Sequence, residues 1–266
     1  MAGLPEFPVL AQAAMCGLGA VLALAVATWL VSVAKRDVSI VDSVWSLLIL
    51  LAALVYAASL PALGPRAPWL LALVLVWAVR LAGYITWRNW GEPEDRRYQA
   101  IRVRNQPNFA LKSLCLVFGL QGILAFVVSL PLLAALASAR PVNGIDALGA
   151  AAIAFGLLFE TIGDWQLARF KADPANRGLV MERGLWRYTR HPNYFGEFCV
   201  WWGFFLVALA AGGIATIVSP LLMSLLLLRV SGVALLEKDI GERRPAYREY
   251  IARTSAFFPA RPKDIR

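Results

Sequence analysis

Charge is scarce in this sequence. Asp, Glu, Lys and Arg together make up 16% of its 266 residues, where a soluble domain carries roughly a quarter. Histidine occurs once, at His191. The cysteines, Cys16, Cys115 and Cys199, form no CxxC pair. A disulfide framework and a Cys/His zinc site are therefore not expected. No GxGxxG turn and no Walker loop is present, so neither a Rossmann nor a P-loop nucleotide site is expected. Residues 1–8 carry no Lys or Arg, and no cleavable signal is expected. There is no internal repeat and no stretch that reads as a separate soluble domain.

What fills the chain instead is apolar. Hydrophobic residues reach 59% and the mean hydropathy is +0.63. Seven uncharged or nearly uncharged runs lie near 9–33, 40–60, 68–87, 111–136, 145–167, 194–211 and 214–236. Each approaches the ~20 residues that cross a ~30 Å hydrocarbon layer. The sequence thus predicts an all-α, polytopic membrane bundle of seven transmembrane helices, a single domain over 1–266. Arg66 and Arg140 stand in the second and fourth loops, Arg80 and Arg229 within runs and Lys112 at the start of one. Every other Lys and Arg falls in the first, third and fifth loops or the C-terminal segment. Basic loops face the cytoplasm, which predicts the N-terminus outside and the C-terminus inside. The net charge of +9 then suits anionic lipid, and no nucleic-acid partner is expected.

A few ionisable residues interrupt the apolar runs: Asp42, Arg80, Glu160, Asp164, Glu197 and Arg229. Charge in a span is costly, and it faces a bundle interior or a wet cavity. Most of these fall toward the inner ends of their runs. They read either as structural pairs and snorkelling side chains or as the lining of a polar cavity open to the cytoplasm. Tyr84 stands four residues after Arg80, on the same helical face. His191 lies in Arg190-His191-Pro192-Asn193-Tyr194, directly before the sixth run. A helix start flanked by cations favours phosphate, although a plain helix cap gives the same pattern.

The stretch from Gly184 to Glu197, with Arg190-His191-Pro192-Asn193-Tyr194 at its centre and Asn193-x-x-Gly196-Glu197 at its end, resembles the signature of the membrane steroid 5α-reductase family. It is closest to that family's uncharacterised bacterial branch. The likeness extends through Glu160-Thr161-Ile162-Gly163-Asp164-Trp165, Val41-Asp42-Ser43-Val44-Trp45-Ser46, the segment 80–91 and the ending Tyr247-Arg248-Glu249-Tyr250. The resemblance implies seven spans, NADPH bound in a cavity open to the cytoplasm, and reduction of the carbon–carbon double bond of a lipophilic enone. It carries cofactor contacts onto Asp164, Lys171, Asn193, Glu197 and Arg229. It extends them to Arg88, Asn89, Arg187, His191, Tyr194, Glu237, Tyr247 and Arg253. It makes Tyr84 a ligand of the substrate carbonyl. The steroid reductases carry Gln-Glu in the second span, where this chain has Val41-Asp42, so the acid is one methylene shorter and the amide is absent. On that analogy Asp42, if protonated, and Tyr84 would both donate to the carbonyl oxygen as enolate charge develops. The proton for the α-carbon would come from Tyr84 or water. The residues bring 145–260 forward as the part carrying the cofactor signature. They imply a lipophilic substrate within the bilayer, no metal and a monomer.

Two other classes share parts of this pattern. Isoprenylcysteine and phospholipid methyltransferases, which use S-adenosylmethionine, resemble it at Arg-His-Pro-x-Tyr. A non-enzymatic lipid-binding membrane protein could keep the fold alone.

Overall fold

The structure is a computed structural model that describes residues 3–230, 232, 233, 237 and 245–264. Among the described residues every regular element is a helix and no strand occurs. In chain order they are α1 (Phe7–Lys35), α2 (Ile40–Ser59), α3 (Ala67–Asn89), α4 (Arg96–Arg104), α5 (Phe109–Ala137), α6 (Gly144–Ala172), α7 (Pro192–Ala210), α8 (Ile214–Val230) and α9 (Ala246–Arg253). Six of them, α1, α2, α3, α5, α6 and α7, are long and apolar enough to cross a membrane. The seventh expected run coincides with α8, which stops short of that length. It opens as a 3-10 turn at Ile214–Ile217 and ends in a π turn at Leu226–Val230. Residues 231 and 234–236 of that run lie outside the described residues.

The chain divides into two compact units, Met1–Asn143 with Ala208–Ser219, and Gly144–Val207 with Pro220–Arg266. In the first, α2 is central and packs against α1, α3 and α5. Its Leu48, Ile49, Ala52, Ala53 and Tyr56 are buried. Tyr56 and Ser46 inside this apolar packing are paired, because a lone polar group in hydrocarbon is expensive. The Tyr56 hydroxyl meets Ser129 Oγ of α5 at 2.8 Å, and Ser46 donates to the Ala78 carbonyl of α3 at 2.9 Å. Arg66, expected in an exposed outer loop, is fully buried. Its guanidinium donates to the carbonyls of Arg140 and Pro141 at 2.7 and 3.1 Å, which serves acceptors just past the end of α5. Toward the other end of α2, α4 is capped by Asp95, whose carboxylate accepts from the Arg97 amide at 2.9 Å.

The second unit is organised by a glycine seam. Gly149, Gly156 and Gly163 recur every seven residues on α6, and Gly196 and Gly203 do so on α7. A Cβ on Gly156 would lie 2.5 Å from the Gly196 carbonyl oxygen and 2.8 Å from the Val200 amide nitrogen. One on Gly203 would lie 2.8 Å from the Gly149 carbonyl oxygen. Small residues of this kind let membrane helices touch backbone to backbone, where packing rather than water exclusion drives association. The seam brings the buried carboxyl-bearing side chains Glu160 and Asp164 of α6 and Glu197 of α7 onto closely opposed helices.

Gly156→Val is therefore expected to lower the melting temperature of purified protein sharply, because two of the three clashing atoms are backbone. Overpacking costs about 1–3 kcal/mol where neighbours can yield, and here they cannot. Gly19→Ala, on a face of α1 with nothing within 4 Å of the added Cβ, should be neutral or stabilise by up to about 1 kcal/mol. Equal melting temperatures for the two variants would remove the seam from the account.

Candidate active site

In the first unit Asp42 sits in the first turn of α2. The spacing of the sequence puts it beside an apolar helix; the fold gives it two strong donors. Its Oδ2 accepts from Arg97 Nη2 at 2.7 Å and its Oδ1 accepts from the Tyr98 hydroxyl at 2.6 Å. Both partners come from α4, which the Asp95 cap starts at the right register. Arg97 also reaches Asp95 at 3.0 Å. Burial works against the Arg97 cation, yet the Asp95 hydrogen bond and the Asp42 and Asp95 charges hold it firmly protonated. Neighbouring Glu94 takes Arg102 at 2.7 Å and the Val38 amide at 2.8 Å, tying the loop before α2 to α4.

The resemblance made Asp42 a donor to a carbonyl only if protonated; in the structure both carboxylate oxygens act as acceptors and one of them faces a guanidinium. Tyr84 is half-buried on α3. The Arg80 guanidinium lies 5.7 Å and that of Arg88 6.0 Å from its ring centroid. Arg88 and Asn89 end α3, where Arg88 Nε donates to Asn89 Oδ1 at 3.1 Å. Between α2 and α3 runs an apolar groove of about 580 Å³, lined by Val44, Leu47, Val79, Ala82, Gly83, Thr86 and two tryptophans, Trp87 and Trp90. Its wall includes Ser43 and Gly83, chain neighbours of Asp42 and Tyr84, but neither of those two residues.

In the second unit the segment before α7 is locked by Arg190. Its side chain is 7% exposed and grips Glu237 with two bonds of 2.7 Å. It also donates to the carbonyls of Ile251, at 3.0 Å, and Thr254, at the end of α9. His191 Nε2 meets the same Glu237 at 2.9 Å, and its ring stacks on Tyr194 at 5.4 Å. Burial would raise the Glu237 carboxyl, but the hydrogen bonds from His191 and Arg190 and their charges pull it down to about 2. Asn193 begins α7 with its side-chain oxygen accepting the Tyr194 amide at 3.1 Å. Glu197 is buried and accepts from Trp201 Nε1 at 3.0 Å. Asp164 is buried on α6, and Arg229 is exposed in the closing π turn of α8.

Two cavities outside the apolar spans sort the remaining candidates. Lys171 and Tyr247 line one of about 410 Å³, together with Arg177 and the rings of Phe170, Trp186 and Tyr250. Arg187 and Arg253 line another of about 610 Å³, with Arg183 and Lys263 among its cations and Glu182, Glu249 and Asp264 among its acids. Arg253 is engaged there with Glu182 at 2.8 Å. Trp186, from the turn that opens the signature stretch, walls the first cavity. Trp186 Nε1 donates to the Gly163 carbonyl at 2.9 Å, the Tyr250 hydroxyl donates to the Trp186 carbonyl, and Gly184 adopts φ +59 against Gln166. Sequence reasoning missed Arg97 and Tyr98. The Asp95 cap was the one local signal available, and it says where α4 begins, not which acid α4 will meet. Among the described residues no group of three or more His, Cys, Asp or Glu is placed to hold a metal ion.

The profile of a family described as a protein of unknown function, DUF1295, matches residues 28–254. The chain belongs to that family. The match takes in Asp42 and α4, the glycine seam and the Arg190 clamp of this DUF1295 protein, ending at Thr254, where the clamp meets α9. No curated protein and no solved structure matches the chain.

Proposed function

We propose that this DUF1295 protein is an NADPH-dependent reductase of lipophilic enones, similar to the membrane steroid 5α-reductases. The observation that carries the reading is the 410 Å³ cavity, in which Lys171 and Arg177 stand among the rings of Phe170, Trp186, Tyr247 and Tyr250. Cations meet phosphate and flat rings meet a base, so the residues present fit a dinucleotide without a glycine-rich turn. Asn193, Glu197 and Asp164 supply polar contacts from α7 and α6, and His191 is held in place by Glu237. NADPH, when bound, supplies the hydride. The Tyr84 hydroxyl donates to the substrate carbonyl oxygen, where negative charge develops, and the Arg80 and Arg88 cations beside its ring favour that donation. The reading includes a seventh span at 214–236 and an outside N-terminus. It also includes a cytoplasmic cofactor side in a bacterial inner membrane, and a monomer acting on a steroid-like or other lipid enone.

The experiment is a melting series on purified protein with NADPH, NADH or S-adenosylmethionine. A ligand at 100 times its Kd stabilises the folded state by about 2.7 kcal/mol. NADPH is expected to raise the melting temperature most, and NADH less, because it lacks the 2′-phosphate that Lys171 and Arg177 suit. A response to S-adenosylmethionine alone would make the protein a methyltransferase. No response to any of the three would favour a non-enzymatic lipid-binding role.

A further inference from the structure

We infer that Arg97 and Tyr98 are positioning residues that hold Asp42 as a fixed hydrogen-bond acceptor, so that a substrate group meeting Asp42 must donate to it. Mention of a substrate rests on the reductase reading; the clamp itself does not.

Three features converge on this state. The donors differ in kind: a guanidinium at 2.7 Å, which has no acceptor atom, and a phenol at 2.6 Å, whose hydroxyl donates to Asp42. The phenol is held by burial, Tyr98 being only 6% exposed. Burial, and then the Asp42 charge, make Tyr98 harder to deprotonate, which keeps it a donor. The guanidinium is pinned as well, by Asp95 at 3.0 Å, whose own place is set by capping α4. With both oxygens of Asp42 already accepting, no donor is left there for a developing enolate. Asp42 remains 18% exposed, so its oxygens keep an open face. What that face accepts is a hydroxyl or N–H of a lipid, and a ketone oxygen is turned away. Polarisation of the carbonyl then falls to Tyr84 alone.

The test is infrared difference spectroscopy of the full chain in lipid nanodiscs at neutral pH, wild type against Asp42→Asn. The expected difference is the loss of one ionised-carboxylate band with no change in the protonated-carboxyl region. Loss of a protonated-carboxyl band instead would overturn the inference. Arg97→Met is expected to shift the Asp42 carboxylate band, and Arg97→Lys to return it toward the wild-type position. An unmoved band in Arg97→Met would mean that the clamp is not what holds Asp42. Tyr98→Phe should move the carboxylate band without protonating Asp42, and an unmoved band would exclude Tyr98. None of these spectra requires a cofactor, so a failure of NADPH to bind would remove the reductase reading and leave the clamp to stand or fall separately.

Discussion

Tyr84→Phe is expected to slow single-turnover enone reduction by about 100-fold or more, with NADPH affinity near wild type. The change deletes one hydroxyl and almost no volume, so packing on α3 is preserved. Losing one donor aimed at developing oxyanion charge costs on the order of 100-fold in the chemical step. Because that bond strengthens only as charge develops, the loss should appear in the rate and hardly in substrate affinity. Asp42 behaves differently. With both its oxygens already accepting, Asp42→Asn forfeits the pair with Arg97 and should be as damaging as Asp42→Ala, whereas a donating acid would be partly replaced by Asn. NADPH oxidation in a stopped-flow instrument, with a panel of lipid enones, reads both effects. Wild-type turnover in Tyr84→Phe would place the polarising group elsewhere and sink the assignment of α3.

The second large effect is on stability. Arg190→Met should destabilise the second unit by about 3–5 kcal/mol, the range for breaking a buried ion pair by removing one partner. The substitution strands the carbonyls of Ile251 and Thr254 and leaves the Glu237 carboxylate with His191 alone. Arg190→Lys should recover only part of the loss, since an ammonium cannot match a planar two-bond grip. The release should be local at first, so limited proteolysis is expected to cut around α9 before the spans unfold. The clamp also carries a pH signature. The folded-state Glu237 titrates at about 2, below its ordinary value of 4.5. Its contribution is therefore fully present above about pH 4.5 and is lost as pH falls toward 2. In Arg190→Met that acid-side loss should shrink. Proteolysis and acid sensitivity like those of the wild type would make Arg190 a bystander.

How far the sequence could be read follows from the range of each interaction. Six of the seven expected runs were legible as helices long enough to span, because hydropathy is a local sum. The runs near 40–60 and 145–167 became α2 and α6 with ends displaced by a few residues, α6 running five residues further than its run. The interruption of α5 by a π turn at Leu114–Gly119 was not legible, since nothing in that apolar stretch distinguishes it. The glycines of the seam recur every seven residues in two runs, but a period alone does not say which helix faces which. His191 was legible as a residue at a helix start; that Glu237, forty-six positions on, would take its ring depended on the return of the chain.

The sequence by itself determined the solvent this protein requires and the helical class it adopts. Apolar length without charge leaves a backbone no other way to satisfy its hydrogen bonds in lipid. It also determined which residue types were on hand for chemistry: one histidine, a few acids within apolar runs, and cations between them. Only the tertiary structure decided what those acids do. Whether Asp42 donates or accepts depends on which groups come within 3 Å of it, and those groups, Arg97 and Tyr98, lie fifty-five and fifty-six residues away on a helix whose start is set by Asp95. Distance along the chain carries no such information, because hydrogen bonds act over ångströms and the fold alone brings donor to acceptor.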